Sequence, residues 1–261
     1  MLGKAEMRRA FLSALIGGLA LAGCAATSDV AREIPLWQGY ADHPKGYLET
    51  AAELEALAFL PPPPEAGSLR AQHDVSVYRE TRALEGHPRW DQAAADAEIV
   101  TPAAPRVFSE ALGSPFDPQQ TPALALLLGR MHADLETVQA SAKATYARPR
   151  PFVAEPANIC IEAEPWLAQS GSYPSGHAAV GWAWALVLAE LAPDRAEEIL
   201  ARGLAYGDSR VICGVHYVSD VEAGRLVGAA LVARLKAEPE FQRDFRRARG
   251  ELATSKAEST Q

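Results

Sequence analysis

The 261-residue chain lacks an excess of basic charge: 25 lysines and arginines stand against 33 aspartates and glutamates, giving a formal charge of −8. Proteins that grip nucleic acid by bulk phosphate neutralisation carry a basic face, so that class is set aside and any anion site must be local. The 19 glycines and 19 prolines are scattered over the whole length. With 48% hydrophobic and 22% charged residues, neither a collagen-like nor a disordered chain fits. Alternating strand patterns are scarce, and no repeat of roughly 20 to 50 residues is apparent. Past the N-terminus the longest uninterrupted apolar run is the 12 residues Ala178 to Ala189, short of the ~18 a membrane helix needs. A multispan membrane protein is thereby excluded. Carboxylate clusters and Cys/His sets with metal-ligand spacing are also missing, so no metal or other cofactor is expected. The length suits one large domain or two small ones.

The N-terminus reads as an export signal. Lys4, Arg8 and Arg9 precede the apolar run Ala10 to Ala22, which closes in Leu21-Ala22-Gly23-Cys24. Those four residues resemble the bacterial lipobox, on which residues 1–23 are expected to be a lipoprotein-type signal peptide and Cys24 the lipidated first residue of the mature chain; the alternative is an ordinary secretory signal cut nearby, leaving Cys24 free or removed. Arg8-Arg9-Ala10-Phe11-Leu12 also has a twin-arginine look. The mature chain then keeps 22 basic against 32 acidic side chains, a formal charge of −10. The expected location is the periplasm or cell envelope, with membrane contact only through the N-terminal lipid. In that oxidising setting Cys160 and Cys213 are expected to pair.

Residues 24–46 read as an irregular arm, 47–248 as one helical domain and 249–261 as a polar tail. Helices are expected over Tyr47 to Leu60, stopped by Pro61 to Pro64, then in fragments from Ser68 to Val100 and briefly within Pro102 to Pro118. Clearer segments follow at Pro122 to Tyr146, Gly176 to Leu191, Asp194 to Tyr206 and Tyr217 to Lys236. The fold class is all-α, a single-domain helical bundle. Trp182 and Trp184 belong to its core, and His43, His73, His87 and His132 to ordinary surface or core positions.

Three short constellations carry chemistry. Lys143 and Arg150-Pro151 flank a turn enforced by Pro149, with Arg148 a rival cation; alone, such a pair equally complements a helix C-terminus. Ser175, Gly176 and His177 open an apolar helix where unpaired N–H groups and the dipole suit an oxyanion, or where Ser175 merely caps and His177 lies on the surface. Ser209-Arg210, His216 and Asp220 place an imidazole one turn from a carboxylate able to fix its tautomer, a spacing also common in surface pairs.

Together, Lys-x6-Arg-Pro, Pro-Ser-Gly-His and Ser-Arg-x5-His-x3-Asp resemble the three-part signature of the type 2 phosphatidic acid phosphatase and vanadium haloperoxidase superfamily. Gly171 to His177 and Ser209 to His216 are similar to the class A bacterial nonspecific acid phosphatases, as are Leu60 with its four prolines, Gly113-Ser114-Pro115 and Gly181 to Glu190. The likeness spans residues 45–248. Ala178 departs from it, since the class usually has threonine there.

The resemblance implies a helical bundle of that type and an exported acid phosphatase of broad specificity for small phosphate monoesters. It implies His216 as nucleophile forming a phosphohistidine, Asp220 as its orienter and His177 as general acid then base. Lys143, Arg150, Ser175, Gly176 and Arg210 would bind the phosphoryl oxygens without a metal. Activity should peak on the acid side. The alternatives are a vanadium-dependent haloperoxidase and a non-catalytic phosphate-binding envelope lipoprotein; room is left for a homo-oligomer.

Overall fold

A computed structural model describes residues 44–258, and among them every regular element is helical. In chain order these are α1 (Ala56–Phe59), α2 (Leu69–Thr81), α3 (Pro88–Ala95), α4 (Ser109–Leu112), α5 (Pro122–Tyr146) and α6 (Pro151–Ala154). Then come α7 (Pro165–Gln169), α8 (Gly176–Leu191), α9 (Ala196–Cys213), α10 (Val218–Leu235) and α11 (Pro239–Glu258). The signal segment, Cys24, His43 and most of the arm lie outside the described residues.

Helix α8 forms the centre because it is apolar almost all round, the pattern of a helix wrapped on every side. Helices α9 and α10 flank it, α5 closes a third side, and α11 lies across α5 and α8. Trp184 is fully buried, its indole N–H donating to the Leu128 carbonyl at 3.0 Å, while Trp182 is half-buried against the same core. Close packing of α10 on α8 depends on two missing side chains. A Cβ on Gly224 would lie 2.3 Å from the Ser175 carbonyl oxygen, and one on Gly228 would lie 2.4 Å from that of Ala179.

Three stretches depart from the pattern read in the sequence. Tyr47 to Leu60 is not one helix but a 3-10 turn (Ala51–Glu53) followed by α1. Its first amides are taken by carboxylates: Tyr47 and Leu48 donate to Asp134 at 2.9 and 3.0 Å, and Glu49 and Thr50 to Glu53 at 2.8 and 3.0 Å. Those are amides that a helix start leaves without a ladder partner in any case; the break is the extended backbone at Leu54 (φ −153°, ψ 114°) and Glu55 (φ −118°, ψ 118°), which separates the two turns. Helix α9 runs on from Tyr206 to Cys213, ended by Gly214 at φ +86°, and so contains Ser209 and Arg210. Helix α11 occupies a stretch with no expected element, and residues 249–258 continue it. It buries Phe241, Phe245, Ala248 and Leu252, and Glu251 accepts from the Ala123 and Leu124 amides at 3.1 and 3.0 Å, capping α5.

Cys160 and Cys213 are joined, with 4.6 Å between their Cα atoms and 53 residues of separation. The link ties the loop before α7 to the end of α9, beside Arg210.

Candidate active site

The first turns of α8 and α10 meet here. Ser175 caps α8, its Oγ accepting from the Ala178 amide at 3.4 Å, while its own amide donates to the Asp220 carbonyl oxygen at 2.9 Å. That backbone bond fastens the second constellation to the third. Gly176 sits over Gln139 of α5, where a Cβ would fall 3.0 Å from the side-chain amide nitrogen, so a larger residue would have to displace the end of that side chain. Gln139 is a buried polar neighbour that the motifs did not reveal.

His216 lies just before α10 and is buried. Arg150 donates to its Nε2 at 3.0 Å and to the Val215 carbonyl at 3.0 Å. Since a guanidinium only donates, Nε2 must carry the lone pair and the proton must sit on Nδ1. Nδ1 faces Asp220 Oδ2 at 3.6 Å, an ion-pair separation longer than a hydrogen bond. The expected hydrogen-bond contact is thus drawn out, because that carboxylate is engaged elsewhere: Oδ2 accepts from the Tyr217 amide at 2.8 Å and Oδ1 from Arg148 at 2.6 Å. Arg148 is therefore spoken for by Asp220, and Arg150 is the arginine at the imidazole.

Lys143 closes another side, donating to the carbonyls of Gly171 and Pro174 at 3.3 and 2.8 Å. Arg210 is buried and donates to the Ala93 carbonyl. His177 donates through Nε2 to the Ala97 carbonyl at 2.9 Å and stacks on Tyr206, with ring centroids 6.3 Å apart. The last turn of α3 and the segment after it thus cover the site with two carbonyls, those of Ala93 and Ala97. This cover is pinned by Asp96, which takes Arg202 and the Ser209 hydroxyl. Ser209 of the third constellation consequently acts on this cover.

Electrostatics mark the group as one unit. Burial, then the charges of Arg150, Lys143 and Arg210, hold His216 well below the usual imidazole range. His177 is held well below it by burial and then Arg210. Burial and Arg150 bring Lys143 down to about 8, and burial brings Arg210 down to about 10. Burial raises Asp220, with Arg148 opposing. Concentrated cations beside neutral imidazoles are the complement of a multiply charged anion. No group of His, Cys, Asp and Glu able to hold a metal occurs among the described residues.

An all-helical fold that opens two helix starts onto buried cations and imidazoles has the chemistry of a tetrahedral-oxyanion site. A family profile described as the PAP2 superfamily matches residues 123–240. The non-specific acid phosphatase of Providencia stuartii is 42% identical over 212 residues, covering 80% of this chain and 86% of that protein. The non-specific acid phosphatase of Salmonella typhimurium (strain LT2) is 43% identical over 201 residues, covering 74% and 78%. The chain belongs to the PAP2 superfamily, beside its class A bacterial non-specific acid phosphatases. Among solved structures, a bacterial vanadium-dependent iodoperoxidase aligns at TM-score 0.55 and 18% identity, covering 73% of this chain and 54% of that one. That likeness concerns the fold alone.

Proposed function

We propose that this protein is an acid phosphatase that hydrolyses small phosphate monoesters of broad range through a phosphohistidine on His216. The observation that carries the reading is the Arg150 contact on His216, which leaves Nε2 unprotonated and surrounded by cations. Nε2 attacks phosphorus in line with the ester oxygen, while Arg150, Lys143 and Arg210 turn their donors to the equatorial oxygens with Ser175 and the Gly176 amide. The Nδ1 proton, facing Asp220, stays on the ring as it becomes charged. His177, protonated once the bound phosphate offsets the neighbouring cations, gives its Nε2 proton to the leaving oxygen, which takes the place of the Ala97 carbonyl, and is left as the neutral ring. In the second half it draws a proton from water, which attacks the phosphohistidine and releases phosphate.

The reading also makes the protein an exported one, cut before Cys24, lipidated there and facing the periplasm or envelope. The disulfide supports an oxidising compartment, and among the described residues no helix is long and apolar enough to cross a membrane. Metabolic labelling with a fatty acid tests the anchor. For the reaction, purified mature protein should release p-nitrophenol from its phosphate ester and trap an acid-labile phosphoenzyme. His216→Ala should lose both; a variant that still labels fully would refute the nucleophile.

A further inference from the structure

Behind Asp220 lies a buried set of charges that no motif contains. Arg148 reaches Asp220 Oδ1 at 2.6 Å and the Ser219 hydroxyl at 2.8 Å with one nitrogen, and Asp74 Oδ2 at 2.8 Å with the other. Asp74 comes from α2, outside the residues the family profile matches, and also accepts from the Ser219 amide at 2.9 Å and from its hydroxyl. Both carboxylates are essentially without solvent exposure, and the guanidinium lies 4.2 Å from the centre of the Tyr217 ring.

One cation is thus divided between two buried anions, only one of which faces the imidazole. A shared fork of this kind has a sign. Removing Asp74's charge leaves Arg148 wholly to Asp220 and weakens the negative field at His216; removing Arg148 strengthens that field and makes Asp220 itself easier to protonate. We propose that Asp74 and Arg148 are positioning residues that set the basicity and tautomer of His216 through Asp220, a reading that rests on His216 being the nucleophile.

The other groups facing Asp220 are Lys143, Tyr173, Tyr217 and Ser172. Those facing His216 are Arg150, Lys143, Arg210 and His177. All of these stay constant across variants at Asp74 and Arg148, so they cannot produce shifts of opposite sign.

The test compares the mature protein with Arg148→Gln, Arg148→Lys and Asp74→Asn, following the His216 ring by NMR titration and the pH profile of kcat on p-nitrophenyl phosphate. Arg148→Gln should raise the His216 pKa by about one unit, move the kcat profile to higher pH and lower kcat roughly 10- to 100-fold with KM within about threefold. Asp74→Asn should move both curves the other way, and Arg148→Lys should restore most of the wild-type profile. Should Arg148→Gln not fold, the other two variants carry the comparison. Shifts of the same sign in Asp74→Asn and the Arg148 variants, or uniform loss of activity with unmoved titrations, would overturn the proposal and leave a packing role. The titration needs no turnover, so a wild-type protein inert toward the ester would sink the phosphatase reading while the NMR shifts still decide the coupling.

Discussion

Arg150 and His216 are in direct contact at 3.0 Å, the guanidinium covering the ring nitrogen that carries the lone pair. An arriving anion must draw that guanidinium away from the imidazole. The ligand therefore both gains a cation and uncovers a nucleophile. Arg150→Ala should weaken binding of inorganic phosphate by about 1.5 to 3 kcal/mol, roughly 10- to 150-fold, measured by calorimetry. A change below twofold would show that Arg150 does not leave the ring.

Lys143 gives anion binding an upper pH limit. Its free-protein pKa of about 8 keeps it charged in acid and neutral solution and discharges it above. Affinity for sulfate, which keeps its charge throughout, should begin to fall near pH 8, by up to tenfold per unit. Lys143→Met should bind more weakly at pH 6 and lose that limb. A wild-type affinity flat to pH 10 would contradict it.

The imidazoles give a proton-uptake signature. His177 and His216 are depressed in the free protein by burial and by neighbouring cations. A bound dianion offsets those cations, so the bound pKa lies above the free one and protons are taken up. The window runs from the free values up to the bound ones, around and below the ordinary ~6.5. Sulfate binding at pH 6, followed in two buffers of different ionisation heat, should show net uptake of up to about two protons; release would reverse the sign of the argument.

Loss of the Cys160–Cys213 link should be costly to stability. It closes a 53-residue separation, so the chain-entropy model gives about 4 kcal/mol. Replacing both cysteines by serine should lower the urea midpoint accordingly, with residual activity at low temperature because the site side chains themselves are unchanged.

Gly228→Val tests the helix contact under the site. Its Cβ would lie 2.4 Å from the Ala179 carbonyl oxygen, backbone that cannot swing aside. A loss of roughly 1 to 3 kcal/mol or more in thermal or urea unfolding is expected. An unchanged midpoint would mean that α8 and α10 are free to separate.

Much of this arrangement could be read from residue order. Helices α5, α8 and α10 were visible because their apolar residues recur at helical spacing, and α8 through its 12-residue apolar run. The meeting of Lys143, Arg150, Ser175 and His216 was foreseeable only through motif resemblance, since spacing alone left surface alternatives open. The competition for Asp220 was not legible: Arg148 and Arg150 are alike in sequence, and what separates them is Asp74, some 70 residues earlier, to which Arg148 bonds. Nor was the cover carrying the Ala93 and Ala97 carbonyls, because backbone acceptors leave no residue signature. Helix α11 did leave one, in Phe241, Phe245, Ala248 and Leu252, masked by its arginines.

The bond from the Ser175 amide to the Asp220 carbonyl joins two helices at the ends where chemistry is proposed. The proposed cycle then asks only side chains to move, Arg150 off the imidazole and His177 off the Ala97 carbonyl, with the two helix starts held together. Crystals soaked with oxyanions should tolerate the ligand without cracking.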